Sequence, residues 1–373
     1  MSRVSLTFLW ETPARAIPVF SVFIPFFGCP RRCVFCSQHD QTGQQASPLD
    51  EILARAAADL HARRAQGRPP VELAFYGGTF TALAPRDLDA CLDMADSLRR
   101  DGCITRFRCS TRPDRLDAAL LARLRRHGCR TVELGIQSFS DTALQASERH
   151  YSGRQATEAC WLVRDAGLAL GVQLLPGMPG HQPEDFLADV RRALDLGADM
   201  LRFYPCLVLA GTELARRWQQ GLYAPWPLPR TLSLLARGWL YARRAGVPVI
   251  RMGLAPEPGM EAALLAGPAD RNLGGRVLGR ALWLHVCACL LRARGDDAAR
   301  SEVRTAALLD ALLAGGKAPA GLPRAQALYL PRSCQGFFRG PGDELGTAWA
   351  ALGITRRNLV WTAGQAASLH LDA

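Results

Sequence analysis

Val19-Phe20-Ser21-Val22-Phe23-Ile24-Pro25-Phe26-Phe27-Gly28-Cys29-Pro30-Arg31-Arg32-Cys33-Val34-Phe35-Cys36 is the stretch on which the fold turns. Its apolar start reads as a strand over Val19–Pro25, and that strand empties into a loop carrying three cysteines at C-x3-C-x2-C spacing. Closely spaced thiolates suit an iron–sulfur cluster, whose irons take soft sulfur ligands. A four-iron cubane held by Cys29, Cys33 and Cys36 keeps one iron free of protein ligands. An open position of that kind separates catalytic metal sites from structural ones. The competing reading is a zinc site with His39 as fourth ligand, although zinc motifs usually pair two C-x2-C units at a longer separation.

Outward from that loop, short apolar runs alternate with amphipathic ones as far as about residue 246. Further strands are expected at Val71–Tyr76, Arg106–Ser110, Thr131–Ile136, Ala169–Leu175 and Met200–Pro205, each bounded by Gly, Pro or polar turns. Helices are expected at Pro48–Ala65, Pro85–Arg100, Asp114–His127, Ser152–Ala166 and Pro183–Leu196, with stops at Gly102, Gly128, Gly167 and Gly197. Six strands alternating with helices imply right-handed βαβ units and a parallel sheet, open or curled into a barrel. Ligands in such folds bind at the carboxyl ends of the strands. Gly77-Gly78-Thr79, Ser110-Thr111-Arg112, Gln137-Ser138 and Pro176-Gly177 all fall there, so one mouth collects them. Past residue 246 the pattern changes, to one long helix over Asn272–Arg294 and short strands near Gln326–Leu330, Asn358–Trp361 and Ser368–Leu371. The expected division is a core over 1–255 and an α+β accessory domain over 256–373.

The 373 residues are 49% hydrophobic and 21% charged, an ordinary globular balance. The net charge of +11 invites a polyanionic partner, because clustered cations release counterions from phosphate backbones. It also reflects a composition in which Lys317 is the only lysine among many arginines. Nine of the twelve cysteines fall singly in apolar stretches, where free Cys behaves as a small hydrophobe, and a reducing cytoplasm is expected. Ala16 to Gly28 resembles an export signal only superficially, since Glu11 and Arg15 precede it and Pro18 and Pro25 interrupt it. No later stretch is expected to span a bilayer.

The cysteine spacing, with the aromatic Phe35 before Cys36, resembles the signature of the radical S-adenosylmethionine (SAM) superfamily. More fully, Ile24-Pro25-Phe26-Phe27-Gly28-Cys29, Ala74-Phe75-Tyr76-Gly77-Gly78-Thr79-Phe80, Ser110-Thr111-Arg112-Pro113-Asp114, Val132-Glu133-Leu134-Gly135-Ile136-Gln137-Ser138 and Leu201-Arg202-Phe203-Tyr204-Pro205 resemble the core of the Elongator catalytic subunit and its bacterial relatives. The resemblance implies a partial (β/α)6 TIM-like barrel. It also implies a reduced 4Fe–4S cluster that cleaves SAM to methionine and a 5′-deoxyadenosyl radical, which takes hydrogen from substrate. By motif position, Tyr76-Gly77-Gly78-Thr79 would meet the amino group of SAM, Gln137 its ribose and Arg149 its carboxylate. Ser110 would offer a further polar contact, and Phe35 flanks the cluster. SAM, an electron donor such as flavodoxin or ferredoxin, and tRNA at a wobble uridine are the implied partners.

The chain departs from that family in length, because about 120 residues after the core are too few for an acetyltransferase domain, so only the core chemistry is carried over. An alternative is an enzyme of the oxygen-independent coproporphyrinogen oxidase type, which shares Gly135-Ile136-Gln137-Ser138-Phe139. That type carries a further cysteine where this chain has Gln38, and an acidic residue around the position of Ser110. A third reading is a non-enzymatic RNA-binding module in which the metal is a structural staple. It lacks the interleaved aromatics that stack bases. Glu133 and Tyr204 are possible barrel-mouth residues, with ordinary core roles as the alternative.

Overall fold

The computed structural model describes residues 4–9, 17–38, 47–254, 258–293, 295, 298–319, 322–364 and 366–371. His39, the fourth ligand of the zinc reading, and the segment from Glu11 to Arg15 lie outside them. The chain divides into two compact units, one of residues 15–228 and 241–271, the other of 1–14, 229–240 and 272–373.

The larger unit is built on a seven-stranded, all-parallel sheet in chain order: β1 (Val19–Phe23), β2 (Val71–Tyr76), β3 (Ile104–Thr111), β4 (Cys129–Gln137), β5 (Ala169–Leu174), β6 (Met200–Phe203) and β7 (Val249–Met252). The first six strands and the helices Leu49–Ala65, Pro85–Arg100, Ala118–Arg126, Gly153–Asp165 and Pro183–Asp195 stand where the sequence places them. β7 is an addition. At four residues, with Arg251 in its middle, it carries too little apolar signal to read as a strand. The helix expected from Asp114 starts instead after Asp117, whose carboxylate accepts from Leu120 N at 2.8 Å. Asp114 is engaged elsewhere, pairing with Arg112 at 2.8 and 3.1 Å.

Side chains alternate across each strand. One set, including Leu73, Phe75, Phe107, Val132, Leu134, Val172 and Phe203, is fully or almost fully buried. Phe75 stacks on Phe80 with centroids 4.8 Å apart, and Phe186 of the helix Pro183–Asp195 meets Phe203 edge-on at 5.3 Å. Each such side chain contributes about 1.5–3 kcal/mol by leaving water. The other set is polar: Glu72, Tyr76, Arg108, Ser110, Glu133, Gln173 and Arg202 hydrogen-bond to one another on the opposite face. The sheet is therefore apolar towards its helices and polar on its concave side.

In the smaller unit, Ala366–Leu371 pairs antiparallel with both Val4–Leu9 and Ala325–Pro331, and Leu359–Thr362 joins parallel to the latter. The three late strands are where the sequence places them; Val4–Leu9 is an addition. The helix Leu273–Ala293 is, against expectation, long and apolar enough to cross a membrane by length and composition. Two-thirds (67%) of its most apolar window is buried inside the protein. Its buried Arg280 pairs with Glu344 at 2.7 Å, which accounts for a cation on an otherwise apolar helix.

Candidate active site at the mouth of the sheet

The loops at the carboxyl ends of the strands enclose a cavity of about 480 Å³. The residues expected to hold a cluster and SAM all line it: Cys29, Cys33, Cys36, Phe35, Tyr76, Gly77, Gly78, Thr79, Ser110, Gln137 and Arg149; Glu133, Ser138, Pro176 and Gly177 do not.

Backbone bonds join the cysteine loop to the turn after β2. Ile24 N donates to Tyr76 O at 2.8 Å and Thr79 N to Phe27 O at 2.7 Å. Gly28 and Gly78 both have positive φ, and a Cβ on either would stand 2.3 Å from Thr79 O or 2.2 Å from Phe27 O. Only glycine allows so close an approach of two main chains. Gln38 completes the join, because its Oε1 accepts from Phe26 N at 2.5 Å and Gly78 N at 2.9 Å. With the Gly78 N–H occupied in this way, Gln38 is a working part of the mouth that the sequence reading noticed only as a missing cysteine.

Arg149 is almost fully buried, so it is not a helix-surface arginine. Its Nη1 donates to Cys33 Sγ at 2.8 Å, Nη2 to Gly135 O at 2.6 Å and Nε to Tyr151 Oη at 2.9 Å. Burial alone would lower its pKa, but Tyr151 and Cys33 beside it hold it above the ordinary arginine value. Arg112 lies 3.7 Å from the same sulfur and donates to Arg149 O at 2.6 Å. Two buried guanidinium groups thus bracket Cys33. Burial raises the Cys36 thiol pKa, and Cys33 and Cys29 raise it further. Three thiolates this close need positive charge among them.

Among the described residues, no three His, Cys, Asp or Glu side chains converge on a single ion. The three soft donors around one open mouth, backed by cations and by a glycine cradle, fit a cluster whose anionic thiolates spread around several irons.

Beneath the mouth lies the polar floor. Glu133 is 1% exposed and takes Arg202 at 2.5 Å, Arg108 at 3.2 Å, Tyr76 Oη at 2.9 Å and Gln173 Nε2 at 3.1 Å. Burial pushes its pKa up, but Arg202 and Arg108 outweigh that and hold it below the usual carboxylate range. A Cβ at Gly171 would lie 2.7 Å from Glu133 Cγ, so the neighbouring strand needs glycine there to admit the carboxylate. Of the residues in and around this network, Tyr204, Gln173 and Arg202 line the cavity, whereas Glu133 and Arg108 lie beneath it. Behind the mouth, buried His181 accepts from Gly177 N at 3.3 Å through Nδ1 and meets Asp189 at 3.0 Å through Nε2. Asp189 also accepts from Phe139 N at 2.8 Å, so the pair ties together the loops after β4 and β5.

Residues 23–193 match the family described as the Radical SAM superfamily, and 198–280 match the Radical_SAM C-terminal domain. The chain belongs to the radical SAM superfamily, and it is an enzyme that works with a 4Fe–4S cluster and SAM.

Within that superfamily it is homologous to a tRNA uridine(34) acetyltransferase of Dehalococcoides mccartyi, with 30% identity over 269 residues, 63% of this chain and 57% of that protein. It is also 30% identical over 232 residues to the heme chaperone HemW of Mycobacterium tuberculosis, covering 60% of this chain and 58% of that one. The archaeal Elp3 of Methanocaldococcus infernus shares its fold, with a TM-score of 0.54 at 22% identity over 70% of this chain and 62% of that chain. The chain spans 51% to 57% of the lengths of the tRNA uridine(34) acetyltransferases it matches.

Proposed function

We propose that this chain modifies tRNA by radical SAM chemistry, with a nucleoside at or near the wobble uridine as its target. The reading is carried by the cavity, in which every residue expected of a SAM and cluster site faces one space, together with homology to enzymes named for tRNA uridine(34). In it, Cys29, Cys33 and Cys36 hold the cluster, and Phe35 covers it. Tyr76, Gly77, Gly78 and Thr79 receive the amino group of SAM, while Ser110 and Gln137 contact its nucleoside. Arg149, already bonded to Cys33, Gly135 and Tyr151, acts mainly by holding the cysteine loop and stabilising its negative charge. Cluster and SAM together supply an electron and a 5′-deoxyadenosyl radical, which the walls of the cavity keep from water.

A small acidic electron carrier such as flavodoxin or ferredoxin suits the exposed Arg31 and Arg32 on the cysteine loop. The smaller unit recognises or covers the substrate. All twelve cysteines are free of disulfides, which suits a reducing cytoplasm. The haem-related reading is weaker at Gln38, whose side chain bridges the two loops where that type has a cysteine.

The test is anaerobic turnover of reconstituted enzyme with unmodified tRNA, with a transcript carrying cytidine at position 34, and with no RNA. The reading expects SAM cleavage to rise several-fold with the uridine tRNA alone, and a new uridine-derived nucleoside after digestion. Equal rates in all three would remove tRNA from the account.

A further inference from the structure

Six arginines line the cavity, and among its described lining residues there is no aspartate or glutamate. Four of the six have partners in the site. Arg202 is neutralised by Glu133, and Arg112 by Asp114. Arg149 bonds to Cys33, and the guanidinium carbon of Arg32 lies 4.5 Å from the Phe26 ring centroid. Arg31 is exposed on the cysteine loop at the cavity's mouth. Arg251 remains. It lies on the edge strand β7, directly in register with Arg202 on β6.

Glu133 answers the charge of Arg202, so of these two arginines on adjacent strands it is Arg251 that is left without a counter-charge among the described residues. Among the described residues, Arg251 donates from Nε to Gly253 O at 3.1 Å, which fixes the stem, and its terminal nitrogens meet no carboxylate. A neighbouring polar group is short of acceptors as well. Tyr204, close enough to Arg251 to feel its charge, accepts through Oη from Arg202 Nη1 at 3.1 Å, so its own proton is free to be donated. The edge of the cavity therefore presents a guanidinium fork and a hydroxyl donor, an arrangement that suits an oxyanion.

We propose that Arg251, with Tyr204, seats the phosphate of the substrate nucleotide at the open edge of the sheet. This rests on the reading of the chain as a tRNA-modifying enzyme and specifies how the target is held. A base that must reach the interior of a protein pocket is extruded from its stack, and its phosphate follows to the rim. Arg251 stands at that rim, with the polar floor beside it and the cysteine loop across the cavity.

The test is calorimetric titration of reconstituted, oxidised, SAM-bound protein with uridine 5′-monophosphate, with uridine and with propionate. Wild type should bind the monophosphate about tenfold or more tighter than uridine, as one or two charge-assisted hydrogen bonds allow. Arg251→Gln should bring the two ligands to equal affinity, and Arg251→Lys should restore part of the difference. Arg154→Gln, on an exposed helix face, should change nothing, and retained SAM affinity in each variant shows an intact cavity. A phosphate preference that survives in Arg251→Gln overturns the proposal, as does its absence from wild type. Propionate competing as well as the monophosphate would overturn it in favour of a carboxylate-bearing substrate. Because tRNA-stimulated SAM cleavage is measured on the same wild-type protein, loss of the phosphate seat and loss of the tRNA reading give different results.

Discussion

Arg149 is three residues from any regular element and its neighbours Glu148 and His150 both have positive φ, yet its guanidinium joins Cys33, Gly135 and Tyr151 at one point. Sequence motif alone placed it near the carboxylate of SAM; only the folded chain shows it bonded to a cluster ligand. Arg149→Gln should therefore act on the apo-protein and on the cluster alike. Losing the charge-assisted bonds to Gly135 O and Tyr151 Oη, which keep only their bonds to each other and to Ile136 O, costs about 2 kcal/mol in urea unfolding of the apo-protein. Iron retained after anaerobic desalting should fall well below wild type. A variant with wild-type stability and iron content would mean that Arg149 is dispensable to the loop. Gln38 and Arg112 show the limit of reading at this scale. Their roles depend on contacts 40 and 79 residues away in sequence, which no local pattern reports.

At the scale of elements, part of the polar floor is legible in the sequence. Arg106-Phe107-Arg108-Cys109-Ser110 alternates polar with apolar, and Glu72, Tyr76 and Arg202 fall on the same alternate positions of their strands. That period of two announces a sheet with one polar face, and here the polar face is the concave one. What could not be read is the pairing, because charge on a strand does not say which neighbour answers it. The Glu133 network yields a pH prediction. Its folded pKa lies below the ordinary value of 4.5, so the ionised carboxylate stabilises the fold at neutral pH, and that stabilisation is lost as pH falls through the folded value. Glu133→Gln should cost about 3 kcal/mol at pH 7, because Arg202 and Arg108 lose their buried counter-charge. The gap between variant and wild type should narrow on acidification below about pH 4. Equal stability at pH 7 would show the network to be energetically idle.

For the whole molecule, the alternation of strands and helices gave the six-stranded core and weakness of signal hid the seventh strand, whereas Val4–Leu9 alternates apolar residues with Ser5 and Thr7 and finds its partner only in the distant Ala366–Leu371. The division near residue 255 is less simple in space, since Pro229–Leu240 belongs with 272–373. Within that unit, Ser233 Oγ donates to Asp310 at 3.2 Å, and Leu232 and Leu235 are buried. A chain truncated after residue 255 keeps that segment but loses its partners, so its soluble yield should fall sharply. A soluble truncation that still cleaves SAM would show the larger unit to be self-sufficient. The net charge of +11 adds an expectation for RNA. Affinity for tRNA should drop by roughly tenfold or more between about 50 and about 200 mM salt, and a flat dependence would argue against phosphate contacts.

The most direct test of the central claim is anaerobic reconstitution with iron and sulfide, then dithionite reduction in the presence of SAM and chromatography for 5′-deoxyadenosine. Wild type is compared with the Cys29→Ala, Cys33→Ala, Cys36→Ala triple variant. The account predicts a four-iron cluster and deoxyadenosine in wild type, with neither in the variant. Zinc in place of iron, or deoxyadenosine that persists without the three cysteines, would contradict it.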